Sequence, residues 1–165
     1  MKKGLFALTI AVYAYILLQV IVFKFLSPFE LLDPSFYGQT RDVSLVPFQE
    51  MWQSDVSSSI KRDNVYGNII LFVPAGLLLA LYVPWKRAIG YALVMSVSFE
   101  VAQYVFGVGY TDIDDVMLNT LGGAIGVGLA RILGSERTRT IVAYGGGTVA
   151  ICLIVMEGLL IAVNG

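Results

Sequence analysis

Hydrophobic positions in this chain fall into five long runs, with little of the alternation expected of strands or the one-sided striping of a soluble helix. They cover about Gly4 to Phe23, Asn68 to Val83, Ala88 to Phe106, Val116 to Leu133 and Ile141 to Val163. A helix needs ~20 mostly apolar residues to cross the hydrocarbon of a bilayer, so each run predicts a spanning helix. Pro84 with Lys86 and Arg87, the Gly107 to Gly109 turn, and the polar run Ser135 to Arg139 separate the later runs. The stretch from Lys24 to Asp63 is too long to be a mere connector. Its residues Phe29, Leu31, Leu32, Phe36, Tyr37, Phe48, Met51 and Trp52 suit a segment lying in the membrane interface. The predicted fold is therefore all-α: an integral membrane bundle of about five transmembrane helices with an outer amphipathic loop, forming one domain over residues 1–165.

Composition agrees with the pattern. Of 165 residues, 57% are hydrophobic and 14% charged, and the mean hydropathy is +0.76, too apolar for an ordinary soluble domain. Charge sets the orientation. With the N-terminus inside, seven of the eleven Lys and Arg residues (Lys2, Lys3, Lys86, Arg87, Arg131, Arg137 and Arg139) fall on the cytoplasmic side. Most acids fall on the other face, so the net charge of −1 conceals a polarised molecule. The expectation is an N-terminus on the cytoplasmic side of the membrane and a C-terminus outside. The first run follows a basic start as a signal peptide would, but it is long for one and lacks an A-x-A cleavage site, which favours a retained helix. Cys152 is the single cysteine, and within the last run it reads as a small buried hydrophobe.

Against this background the polar residues of 98–119 stand out, because ionisable groups in hydrocarbon need partners or water. Ser96, Glu100, Gln103 and Gly107 share one face of the third helix, with Glu100 about 10 Å below its outer end. Asp112, Asp115, Asn119, Gly122 and Gly126 form a stripe on the fourth. Antiparallel helices joined by a short turn are neighbours, so the stripes can face each other, and Asn64 and Asn68 enter the same leaflet from the second helix. A water-accessible cleft in the outer half of the bundle is the expected result. Each amide among Asn68, Gln103 and Asn119 reads either as interhelical hydrogen-bond glue or as a ligand contact. Glu100 reads as a functional carboxyl, with a structural pair as the alternative. Asp112 and Asp114 can be solvated loop acids or N-cap groups, whereas Asp115 shares the Asn119 face. Arg41, in the outer loop, can pair with Glu100, bind a phosphate or carboxylate, or stand in solvent. Glu157 can join the cleft or snorkel. Gly122 and Gly126 predict close helix approach, Gly145 to Gly147 close packing, and Pro74 a kink.

The chain has no histidine, which excludes a His-based triad and a His metal site. No G-x-S-x-G elbow is present. The chemistry left is that of carboxylates, with Glu100 and Asp115 as the candidate acid or base. An oxygen-ligated Mg²⁺ or Ca²⁺ at Asp112 and Asp115 is the minor reading, since D-I-D-D is too short for an EF-hand loop; no metal and no cofactor are expected.

The order R-D-V-S-L-V-P-F (Arg41 to Phe48), N-x-x-x-N-x-x-L-F-V-P-A-G (Asn64 to Gly76), S-F-E-V-A-Q (Ser98 to Gln103) and D-I-D-D-V-x-x-N-T-L-G-G (Asp112 to Gly123) resembles the VanZ-like family over about residues 41–133. Ser44 departs from it, where the family's element has asparagine. The resemblance implies a multi-pass bacterial membrane protein with an envelope role, and tolerance of the glycopeptide teicoplanin. By motif position it points to Arg41, Asn68, Glu100, Gln103, Asp112, Asp115 and Asn119. The function expected first is recognition of an amphipathic envelope ligand, a lipid-linked wall precursor or a lipoglycopeptide. A small intramembrane enzyme using carboxylate acid/base chemistry is the alternative. A proton-coupled transporter is weakened by the lack of evident inverted repeats, and a structural partner subunit stays open. Membrane lipid is an expected partner, a homo-oligomer is compatible, and nucleic acid is not expected.

Overall fold

The computed structural model describes residues 3–22, 33–36, 41–48, 58–108 and 110–145. These are mostly helical. Helix α1 (Lys3–Leu17) passes into a π-helical turn at Leu18–Val22. A short 3-10 turn follows at Pro34–Phe36 and the two-residue strand β1 at Val43–Ser44. Then come α2 (Ser58–Ala80), α3 (Trp85–Phe106), the two-residue strand β2 (Thr111–Asp112), α4 (Ile113–Leu133) and a helix α5 over 135–145. Among the described residues, α3 and α4 are long and apolar enough to cross a membrane, and Phe6–Val22 and Asn64–Ala80 are shorter apolar helical stretches.

Two boundaries differ from the expectation. Helix α2 begins at Ser58, ten residues before the apolar run does, so Lys61, Arg62 and Asp63 lie on helix and not in the outer loop. Periodicity could not see this, because the first turns are polar while the helix continues on backbone hydrogen bonds. Residues 135–139, expected to separate two spans, are the start of α5, and Gly134 alone turns the chain between α4 and α5, with φ 78 and its N–H on the Ala130 carbonyl at 3.0 Å. A glycine takes that positive φ without a Cβ penalty. The outer-loop aromatics other than Phe36 and Phe48, together with Cys152, Glu157, Gly146 and Gly147, lie outside the described residues.

The core is built where α2 crosses α4. A Cβ at Gly122 would fall on the Ile69 carbonyl oxygen, one at Gly126 on the Val73 carbonyl oxygen, and one at Gly76 on the Gly123 carbonyl oxygen. Only hydrogen at those positions lets the two backbones approach so closely, the logic of small-residue helix packing in lipid. On the other flank of α2, Phe72 is fully buried among Leu17, Ile21, Ala75 and Ala92, and meets Phe99 edge to face with centroids 6.0 Å apart and planes at 80°. A second cluster of Leu77, Ala130 and Val142 joins α2, α4 and α5. Helix α2 runs through Pro74 without interruption. The proline has no N–H to give the Ile70 carbonyl; one residue further on, the Leu71 carbonyl accepts the Tyr13 hydroxyl of α1 at 2.6 Å. Outside this core the helices present apolar side chains outward: on α3 alone, Tyr91, Val94, Val97, Val101, Tyr104 and Val105 are exposed.

Candidate functional site at the polar end of the bundle

The polar end is organised by the way α3 stops and α4 starts. Gly107 ends α3 in the left-handed region (φ 64, ψ 38), its N–H on the Gln103 carbonyl at 2.8 Å. Asp112, in extended conformation, caps α4, accepting the Asp114 N–H at 3.0 Å. Glu100 of α3 reaches up to this cap: its Oε2 accepts the Asp112 N–H at 2.9 Å, while the Thr111 hydroxyl donates to the Glu100 carbonyl at 3.3 Å. Glu100 is thus built into the α3–α4 corner, with only 4% of its surface exposed. The first turn of α4 carries Asp114 and Asp115. Carboxylates gather here because the first amides of a helix lack internal partners and its dipole favours negative charge.

The three aspartates divide by direction. Asp112 caps its own helix. Asp114, expected to be a loop acid or a cap, is buried and accepts the Phe48 N–H on both oxygens, at 2.8 and 2.9 Å. Asp115 faces α2, where the Asn68 amide donates to its Oδ1 and also to Asn64 Oδ1 at 3.2 Å. That pairing follows from the expected stripes. Four residues further into α4, about 6 Å deeper, the fully buried Asn119 donates to Ser96 Oγ at 3.0 Å and joins α4 to α3. Gln103 belongs elsewhere: its amide donates to the Ile21 carbonyl at 2.6 Å, so it joins α3 to the π-helical end of α1. A π-turn leaves carbonyls out of the regular ladder, which explains the need for an outside donor.

Arg41 is exposed. It sits on a strap, residues 41–48, that tertiary pairing fixes. Val43 and Ser44 pair in parallel with Thr111 and Asp112, and the Thr111 N–H donates to the Asp42 carbonyl at 3.0 Å. Two-residue strands with no apolar alternation carry no signal in the sequence; Thr111 and Asp114 could have been found only from the need to satisfy buried backbone groups.

Chemically this end is rich in acceptors. Glu100, Asp112, Asp114, Asp115, Asn68 and Asn119 gather carboxylate and amide oxygens at one pole of the molecule, where the carboxylates accept backbone and amide N–H groups of the protein itself. Among the described residues no group of three or more His, Cys, Asp or Glu is placed to hold a metal ion. At the opposite pole, Lys86 Nζ and the Arg131 guanidinium each lie 5.4 Å from the Trp85 ring centroid.

Comparison with known proteins places the chain in a family. The family model VanZ/LLP1 matches residues 10–134, a range that takes in most of α1 as well as the strap and helices α2 to α4. Protein VanZ of Enterococcus faecium is 31% identical over 132 residues, which are 78% of this chain and 73% of that protein. No solved structure matches. The motifs that shape the corner, from Arg41–Phe48 through Asn68 and Glu100 to the aspartates of α4, all lie within the matched range, and the chain belongs to the VanZ family.

Proposed function

We propose that this protein is a multi-pass component of the bacterial cytoplasmic membrane whose polar end lies in the outer leaflet. There it recognises the head group of an amphipathic envelope ligand, a lipid-linked wall precursor or a lipoglycopeptide, and lowers sensitivity to teicoplanin. The observation that carries this reading is the gathering of Asn68, Glu100, Asp112, Asp115 and Asn119 at one pole of a bundle whose α3 flank is apolar and exposed. Such a flank suits lipid, since soluble monomers rarely expose contiguous apolar patches of that extent. The 17-residue stretches Phe6–Val22 and Asn64–Ala80 reach the lower limit of a span, ~17 residues. With α3, α4 and the last apolar run they account for about five spans. The basic Trp85 pole then belongs to the cytoplasm and the acidic pole outside, with the N-terminus in and the C-terminus out. An impermeant thiol reagent in a Cys152→Ser background should label Tyr110→Cys from outside and Ser135→Cys only after permeabilisation; the reverse labelling would refute the orientation.

The alternative, acid/base catalysis on a lipid-linked substrate, needs Glu100 or Asp115 to exchange protons with that substrate. The Glu100 carboxylate accepts the N–H of the α4 cap, which favours recognition over turnover. Expression in a susceptible Gram-positive host should reduce sensitivity to lipoglycopeptides more than to a glycopeptide without an acyl tail. Arg41→Ala should remove that difference while leaving membrane accumulation unchanged. Multiple turnovers of a lipid-linked precursor by purified protein, stopped by Glu100→Gln, would replace recognition with catalysis.

A further inference from the structure

The strap is held at three points. Its Asp42 carbonyl accepts the Thr111 N–H, Val43 and Ser44 pair with Thr111 and Asp112, and its Phe48 N–H is shared by the two oxygens of Asp114, 66 positions away. Between these ties Leu45 and Val46 are exposed, at 71% and 59%. Among the described residues Phe48 is the one non-glycine with positive φ, at 58°. A bulky aromatic adopts that conformation only where the surroundings hold it there. The Phe48 N–H is taken by Asp114, a carboxylate with 7% of its surface exposed.

We infer that Asp114 is a positioning residue of the polar end: by keeping Phe48 left-handed it docks the strap, and with it Arg41, across the α3–α4 corner where the ligand head group is recognised. This rests on the proposed function for the ligand, whereas the docking of the strap is independent of it. An acid that only began a helix would turn to its own first amides, as Asp112 does. Asp114 instead takes a donor from the strap, and the exposed apolar apex at Leu45 and Val46 stays out of the core because both ends are tied.

The test uses full-length protein in membranes, with Cys152→Ser, Val43→Cys and Thr111→Cys. Those two positions are register partners, and adjacent strands bring Cα atoms within disulfide reach. Mild oxidation should cross-link this parent quickly. Asp114→Ala should slow cross-linking about tenfold, the loss expected of a charge-assisted hydrogen bond. Adding Phe48→Gly should restore the rate to within about twofold, because glycine adopts the left-handed conformation without strain; this rescue separates positioning from misfolding. Lipoglycopeptide tolerance, measured in cells without the cysteine pair, should fall with Asp114→Ala and return with Phe48→Gly. Cross-linking of Asp114→Ala at the parent rate, or slow cross-linking that Phe48→Gly does not restore, overturns the inference. So does slow cross-linking with tolerance intact. A parent that confers no tolerance refutes the proposed function, while the cross-linking rates still decide whether Asp114 docks the strap.

Discussion

Helices α2 and α4 meet twice, and the two meetings are built on opposite principles. In mid-bundle, Gly76, Gly122 and Gly126 bring the backbones together with no side chain between them. At the polar end the same helices are joined by one amide and one carboxylate, Asn68 and Asp115. In hydrocarbon there is no hydrophobic drive to bring helices together, so close van der Waals contact must do most of the holding. A polar pair between helices typically contributes only about 1 kcal/mol there. The glycine contact therefore secures the fold, and the Asn68–Asp115 pair adds a smaller increment to it. The difference explains how the end can carry so many carboxylates: packing elsewhere meets the cost.

The sharpest way to break this contrast is at the glycines. Gly122→Ala would place a Cβ on the Ile69 carbonyl oxygen and should destabilise by about 3 kcal/mol, at the upper end of overpacking in a tight core. Gly128, on the same helix, has nothing within 4 Å of a built Cβ, and Gly128→Ala should be neutral or stabilising by up to about 1 kcal/mol. Thermal unfolding of the two variants in detergent reads the difference directly; equal melting temperatures would mean that the backbones are not in contact.

A smaller effect is expected at the other meeting. Asp115→Ala removes the acceptor of the Asn68 amide and should cost about 1–2 kcal/mol, less than Gly122→Ala. It should nonetheless abolish lipoglycopeptide tolerance at normal membrane abundance. Loss of tolerance in proportion to loss of protein would place Asp115 in the fold alone.

The smallest change is Glu100→Gln. The isostere keeps an oxygen for the Asp112 N–H, so stability should move by less than about 1 kcal/mol and tolerance should persist. Full loss of function in a folded, abundant protein would assign Glu100 to proton transfer.

How much of this was legible in the sequence depends on the range of the interaction. The i, i+3, i+4 spacing put Asp115 and Asn119 on one face of α4 and Ser96, Glu100 and Gln103 on one face of α3, and the structure pairs Asn119 with Ser96 and Asp115 with Asn68. Helical periodicity is a local property of the chain, so it was readable. Gln103 shares its face with Glu100 and was expected to face α4. The partner it takes is a carbonyl of the π-turn ending α1, 82 positions away, and that turn has no signature in an apolar run.

The chain alone determined that the protein is an apolar helical bundle with one acidic pole, because spans, glycine stripes and charge asymmetry are written in residues a turn or two apart. Only the tertiary structure decided which acid serves which purpose. Asp112, Asp114 and Asp115 stand within four positions of one another, yet they serve a helix cap, a strap 66 positions away and a neighbouring helix. The physical reason is that a carboxylate's role is set by whichever donor the fold leaves without a partner. Donors such as the N–H of a left-handed Phe48 come into being only when distant segments meet.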